Sequence, residues 1–372
     1  MKIGSLIESN DTRVAISLQS AKKYIENGYS VFLEHGYAKD LYDKHEFEKL
    51  GVVFCDKKEL FDCDIFLQVL IPKKEDYLCF KNCILICFLN PFFEFEHLDI
   101  LKANNVTCFS MELVPRSSIA QKMDALSSQA SLAGYASVTL AASKLNKVFP
   151  MMVTPAGTIR PTKVLVIGTG VAGLQAIATA KRLGALVSAY DTRVVAKEQV
   201  ESLGAKFLML DLNSQEQTDQ GYAQQLTAQQ LQKQRELLET ACIQSDVIIT
   251  TAQVFSKKAP VILTTQLLAK LKEGTVIVDC AVDSGGNVEN VKNNKDYIQD
   301  KVFIIAYSHL AQQVCFHASE VYSKNILEFI LECFSKTDED LQIKFDHEIV
   351  QSMLVINNKE IIHPLILEKR KT

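Results

Sequence analysis

Four apolar residues, VLVI from Val164, run straight into Gly168-Thr-Gly170-Val-Ala-Gly173 and then into LQAIATAKRLGA. A β-branched run that halts on three glycines and resumes with helical periodicity describes the strand, turn and helix that open a parallel βαβ unit. Gly168 allows the tight turn, Gly170 lets backbone come close to a pyrophosphate, and Gly173 lets the helix lie against the strand. Val171 and Ala172 begin the helix, whose free N–H groups and positive dipole end suit phosphate charge. The next strand, Leu186–Tyr190, runs into Asp191. That is about 20 residues on, where an acid accepts hydrogen bonds from an adenosine ribose. Thr192 and Arg193 follow it, and Thr251 and Ala252 follow the strand around Val247–Thr250. All four are expected to join the dinucleotide contacts. A 2′-phosphate would meet the charge of Asp191, which favours NAD(H) over NADP(H); Arg193 keeps the phosphorylated form open.

The alternation of short strands and helices occurs twice. In the first hundred residues Val31–Glu34, Ile65–Leu70, Ile84–Leu89 and Val106–Ser110 read as strands. Helices Ala21–Asn27 and Leu41–Leu50 lie between them, each stopped by a glycine, Gly28 and Gly51, where a left-handed cap is wanted. The second run starts at Val164, continues through a helix over Lys197–Leu203, and includes strands around Val247–Thr250, Val276–Asp279 and Val302–Ala306. Between the runs, Ser127–Leu145 is rich in small helix formers and reads as one long connecting helix. The expected architecture is α/β: two doubly wound Rossmann-like domains joined by a long helix, with nucleotide in the interdomain cleft. Residues 1–126 with 320–372 form the first domain and 127–319 the NAD(H)-binding one. The tail is expected to be helical to Phe334, to turn at Asn357-Asn358 and to pack back on the first unit.

Charge and cysteine content narrow the function classes. Forty Lys and Arg stand against 44 Asp and Glu, a net charge of -4, which gives no general field for a polyanion, so nucleic acid is not an expected partner. The ten cysteines are scattered behind an opening, MKIGSLIESNDTR, that has no basic-then-apolar leader, and a reducing compartment is expected. The most apolar stretch, Val164–Val187, is broken by Gly168, Gly170, Gly173 and Gly184 and carries Lys181 and Arg182, so no direct membrane span is expected.

A second polar cluster follows the strand ending at Ser110: Arg116, Gln121, Asp124, Ser127 and Gln129. Placed where the two sheets meet, these groups would lie beside a bound nicotinamide; alternatively Arg116 and Asp124 pair within a polar hinge. Cys79, Cys83 and Cys87 recur every fourth residue, but Cys83 and Cys87 sit in the apolar run CILICFL and read as buried hydrophobes rather than metal ligands. No metal site is expected, since the histidines make no H-E-x-x-H. Residues 215–234 hold nine glutamines around Gly221-Tyr222, either a solvated surface tract or a mobile lid carrying one aromatic.

These runs, above all MELVPRSSIAQKMDALSSQASLAGY (Met111–Tyr135), Val164–Ala185 and DTRVVAKEQVESLGAKF, resemble a known family across nearly the whole chain. It unites alanine dehydrogenase with the soluble NAD(H)-binding subunit, or first domain, of proton-translocating nicotinamide nucleotide transhydrogenase. The transhydrogenase side is the nearer. The resemblance implies that Arg116, Gln121, Asp124 and Ser127 surround the nicotinamide and its ribose, with Gln121 orienting the ring. It implies that Asp191 holds the adenosine ribose and that Tyr222 closes over bound nucleotide. It further implies direct hydride transfer from NADH to NADP+ held by a partner subunit, coupled to proton translocation by membrane subunits. A homodimer is implied too, cytoplasmic and peripheral on the inner membrane through those partners. The family's usual Lys-Glu near the N-terminus is missing from SLIESNDTR, and His309 and Ala311 replace its usual Asn and Pro. Two other functions stay open, alanine dehydrogenase and a non-catalytic NADH-binding or assembly subunit. Against the first, Leu70 and Asn90 stand where that enzyme shows a lysine and a histidine.

Overall fold

The computed structural model describes residues 1–209, 228–336 and 341–371. The chain packs as two compact units, Met1–Gln129 with Ala311–Thr372, and Ala130–Leu310.

In the first unit the strands run Lys2–Ser5 (β1), Ser30–Glu34 (β2), Val53–Cys55 (β3), Ile65–Leu70 (β4), Ile84–Phe88 (β5) and Thr107–Ser110 (β6). The β4 sequence IFLQVL is apolar almost throughout because both faces of a parallel sheet are covered: Ile65, Leu67 and Val69 face one core layer and Phe66 the other. Gly28 and Gly51 end their helices with φ of 80° and 91°, the left-handed conformation expected of them. The helices themselves span Leu18–Glu26 and Lys44–Lys49, the second starting later than expected because Asp43 caps it. Strand β1 has no counterpart in the sequence-based expectation. It is short and flanked by polar residues, yet it pairs parallel with both β2 and β4 at the centre of the sheet.

The connecting helix spans Ala125–Lys144, two residues ahead of the expected start at Ser127. Asp124 explains the shift. Its Oδ1 accepts the Ser127 N–H at 2.9 Å, an N-cap bond from the residue just before the first turn.

The second unit carries a hairpin, Met152–Thr154 (β7) and Gly157–Ile159 (β8), then Lys163–Ile167 (β9), Leu186–Tyr190 (β10), Lys206–Phe207 (β11), Val247–Thr250 (β12), Val276–Asp279 (β13), Lys295–Gln299 (β14) and Val302–Ala306 (β15). Among the described residues the order is β11-β10-β9-β12-β13-β15-β14, parallel except for the antiparallel edge strand β14. Val164 and Val166 of β9 face one core layer and Leu165 and Ile167 the other. The chain moves outward from β9 through β10 to β11, then returns to the other side at β12, so the switch point of the sheet lies between β9 and β12.

The tail returns to the first unit as expected. After the helix Cys315–Cys333 come a short antiparallel pair, Phe334–Lys336 (β16) and Leu341–Ile343 (β17), then Leu354–Asn357 (β18) and Glu360–Ile361 (β19). Strand β18 pairs antiparallel with β6, which extends the first sheet to β19-β18-β6-β5-β4-β1-β2-β3 among the described residues.

Candidate functional site

In an open parallel sheet, ligands seat outside the carboxyl ends of the strands at the switch point. Here that crevice is flanked by the turn after β9 and the turn after β12. Gly168 has φ 93°, and a Cβ there would lie 2.8 Å from Thr251 Oγ1 and 2.9 Å from the Ala252 nitrogen. A Cβ on Gly173 would lie 2.0 Å from the Gly168 carbonyl oxygen, so the helix Val171–Arg182 is pressed onto the turn. A Cβ on Gly134 of the connecting helix would lie 2.1 Å from the Ala172 carbonyl oxygen, which shows equally close packing behind the helix start. Gly170 differs from these. Its φ of -73° suits any residue, and a Cβ there would meet nothing within 4 Å. Internal packing therefore explains Gly168 and Gly173 and leaves Gly170 facing open space, beside first-turn N–H groups that have no intrahelical acceptors.

Asp191 stands just beyond β10 with its carboxylate turned back to this loop. Its Oδ2 accepts from the Thr169 N–H at 2.8 Å, the Thr169 hydroxyl at 2.7 Å and Arg193 Nη2 at 3.0 Å. Its Oδ1 accepts from the Arg193 N–H at 2.8 Å and Arg193 Nε at 3.0 Å. Burial alone would raise this carboxyl; the bonds from Arg193 and Thr169 outweigh it and hold the group well below the usual carboxylate range. Asp191 is thus a permanent anion, engaged by an arginine whose side chain is 59% exposed and free to swing outward. Sequence alone does not disclose this clasp.

Thr251 donates from Oγ1 to the Gly168 carbonyl at 2.9 Å, and its N–H donates to the Ile167 carbonyl at 2.8 Å. Ala252 is bound through its N–H by the buried Asn287, a residue that no sequence motif singles out. On the same unit His309, at φ 51°, donates its N–H to Asp283 Oδ2 at 2.9 Å.

In the first unit Asp124 and Ser127 come together: besides the N-cap bond, the Ser127 hydroxyl donates to Asp124 Oδ2 at 2.6 Å. The alternative Arg116–Asp124 pair does not form. Arg116 is exposed and makes no ion pair among the described residues, and Gln121 is exposed as well. Tyr222 lies outside the described residues. Cys83 and Cys87 are buried in the apolar core, as expected of small hydrophobes, while Cys79 is exposed. The buried Arg13 is held by Asp11, Nε to Oδ1 at 2.9 Å and Nη2 to Oδ2 at 2.6 Å, and donates through Nη1 to Gln129 at 2.7 Å. No described helix is long and apolar enough to cross a membrane.

Comparison with known proteins gives a consistent kinship. The N-terminal domain of alanine dehydrogenase/PNT matches residues 6–133 and its C-terminal domain residues 137–364. The chain is 39% identical over 379 residues to the first of the chains that make up the alpha subunit of NAD(P) transhydrogenase in Rickettsia prowazekii, covering 99% of this chain and 98% of that one. It is 37% identical to the chain of the same name from Rhodospirillum rubrum, covering 96% of each. The crystal structure of transhydrogenase from Sinorhizobium meliloti superposes with a TM-score of 0.87 at 34% identity, covering 97% of this chain and 100% of that one. An L-alanine dehydrogenase structure shares the fold, with a TM-score of 0.80 at 22% identity. With both domain models matched and relatives aligned end to end, the chain belongs to the alanine dehydrogenase/PNT family of nucleotide-binding oxidoreductases.

Proposed function

We propose that this chain is the NAD(H)-binding component of a proton-translocating NAD(P) transhydrogenase. The observation that carries this reading is the end-to-end match to chains named as the first portion of the NAD(P) transhydrogenase alpha subunit. The glycine turn fits the nucleotide: Gly170 leaves room for a pyrophosphate, and the Val171–Gly173 N–H groups can donate to it. Asp191 offers two carboxylate oxygens to ribose hydroxyls once Arg193 swings aside, and its fixed negative charge disfavours a 2′-phosphate.

When bound, the dihydronicotinamide supplies a hydride, two electrons and a proton together, which passes from C4 of NADH to C4 of NADP+ on a partner chain and leaves NAD+ and NADPH. No proton is taken from a separate substrate, so this chain needs no general base. Its residues bind, orient and exclude water. In this reading Arg116, Gln121, Asp124 and Ser127 serve the nicotinamide end, with Gln121 orienting the ring. Arg116 and Gln121 have free polar ends to offer, and the Asp124–Ser127 bond fixes those two side chains relative to each other. Proton coupling belongs to membrane subunits. The exposed Met151 (64%) and Val153 (80%) on the β7–β8 hairpin support a homodimer.

Alanine dehydrogenase is the weaker reading. Its keto-acid carboxylate needs a cation, and Arg13 is already saturated by Asp11 and Gln129, while Leu70 and Asn90 supply neither charge nor a titrating base. The test is to mix the purified chain with an NADP(H)-binding partner domain, NADH and an oxidised NADP analogue and to follow absorbance of the reduced analogue. Hydride transfer is expected. Tight NADH binding without transfer would favour a sensing or assembly subunit, and NAD-dependent oxidation of L-alanine would favour the dehydrogenase.

A further inference from the structure

Asn287 lies in the turn after β13, directly behind Gly285 and Gly286, and is fully buried. Its amide spans two other segments. Oδ1 accepts from the Ala252 N–H at 3.1 Å, and Nδ2 donates to the Ala252 carbonyl and to the Pro260 carbonyl, both at 2.8 Å. Both main-chain groups of Ala252 are therefore held by one side chain. Behind it stands Asp279, also fully buried: Oδ2 accepts from the N–H groups of Asn287 at 2.7 Å and Val288 at 2.9 Å, and Oδ1 accepts from Ala281 N–H and the Thr250 hydroxyl. Gly286 is needed there, since a Cβ would lie 2.9 Å from Asp279 Oδ2.

The neighbour on the far side of Ala252 is the glycine turn. The Ala252 nitrogen lies 2.9 Å from where a Gly168 Cβ would be, and Thr251 Oγ1 donates to the Gly168 carbonyl. Any shift of Thr251-Ala252 is thus transmitted to Gly168. We infer that Asn287 is a positioning residue for the nucleotide site, fixing Thr251-Ala252 against the turn so that Gly168–Gly170 keep the shape that receives a pyrophosphate. This rests on the proposal that the turn binds NADH. Asn287 would never touch the nucleotide; it acts through Ala252, at the crevice where β9 and β12 diverge.

The experiment compares the full chain with Asn287→Asp, Asn287→Ala and a core control, Val302→Ala on β15, by NADH fluorescence titration, thermal melting and amide hydrogen exchange. Asn287→Asp keeps the size but turns an oxygen toward two carbonyls, and Asn287→Ala leaves three buried groups unpaired. NADH dissociation constants are expected to rise about tenfold or more in the Asn287 variants and to stay within about twofold in Val302→Ala, although all three melt earlier. Exchange should quicken at Ala252 and at Gly168–Gly170 only in the Asn287 variants. Unchanged affinity in a folded Asn287 variant would overturn the inference, as would equal loss in Val302→Ala or quickened exchange that never reaches Gly168–Gly170. If one variant fails to fold, the other carries both measurements. Absence of NADH binding by the unmodified chain would instead remove the nucleotide proposal itself, and this inference with it.

Discussion

Two alanine substitutions, only three residues apart in sequence, separate packing from ligand binding in the glycine turn. In Gly173→Ala the new methyl lies 2.0 Å from a main-chain carbonyl oxygen, which cannot rotate away, and 3.1 Å from Thr251 Oγ1. The helix must back off the strand, an overpacking cost of about 3 kcal/mol. For a unit the size of Ala130–Leu310 each kcal/mol moves the midpoint by about 2–4 °C, so a fall of roughly 6–12 °C is expected. In Gly170→Ala the methyl meets nothing within 4 Å and φ is already permitted, leaving only the poorer N-cap, about 0.5–1 kcal/mol or a few degrees. Its methyl does fill the space proposed for the pyrophosphate. Losing a charge-assisted bond there is worth about 1.5–3 kcal/mol, a rise in the NADH dissociation constant of about 10- to 100-fold. Melting curves and NADH titrations of both variants are the assay. Gly170→Ala that binds NADH like the unmodified chain would refute the reasoning about the turn, and a Gly173→Ala that melts normally would refute the packing argument.

Asp191→Ala should weaken NADH binding strongly, and because its carboxyl stays ionised across the working range, NADH affinity should show no pH dependence from this group between about pH 5 and 9; a titrating step that disappears in Asp191→Ala would contradict this. Burial raises the Glu8 carboxyl to about 8, with Asp11 adding to it and the Val69 and Leu70 amides opposing, so the folded chain keeps a proton that the unfolded chain releases near 4.5. Stability from this group is then full below about pH 4.5 and drains at about 1.4 kcal/mol per pH unit until pH 8; the gap between Glu8→Gln and the unmodified chain in denaturant melts should grow over that window and stay flat if the assignment is wrong. Asp124→Ala should cost about 1 kcal/mol through the lost cap, whereas Arg116→Ala, exposed and unpaired, should stay within about 0.5 kcal/mol yet impair transfer. Gln121→Asn is expected to slow transfer with NADH affinity retained, and equal losses of affinity in Asp191→Ala and Gln121→Asn would contradict the division of roles between them.

What the sequence discloses follows from how local each determinant is. The β9 run VLVI alternates between two core layers, so its apolar continuity announces a strand buried on both faces. Gly28 and Gly51 announce helix ends because no β-carbon is tolerated cheaply at their φ. The start of the connecting helix is equally local, since Asp124 followed three residues later by Ser127 is a capping pattern; the same polar side chains also suit ligand chemistry, which obscures the cap in the sequence. By contrast β1 and β14 carry few apolar residues. Only their neighbours make them strands: β1 because two parallel partners flank it, β14 because an edge strand shows one side to water.

The features of the site that escape the sequence are those set by approach of distant segments. Asp191 and Arg193 are two residues apart, and nothing in DTR says whether the arginine will face a phosphate or fold back on the aspartate. The structure shows it folded back, with both carboxylate oxygens engaged. This bears on nucleotide choice. Arg193 neutralises Asp191 while no ribose is bound, and its exposure keeps the exchange inexpensive, since an exposed ion pair contributes only about 0–1 kcal/mol. A ribose that displaces it recovers the hydrogen bonds to an anion already desolvated and oriented by Thr169. A 2′-phosphate would have to use the same arginine and still sit beside the same carboxylate. On that balance the clasp preserves preference for the unphosphorylated nucleotide, and Arg193 does not make the site one for NADP(H).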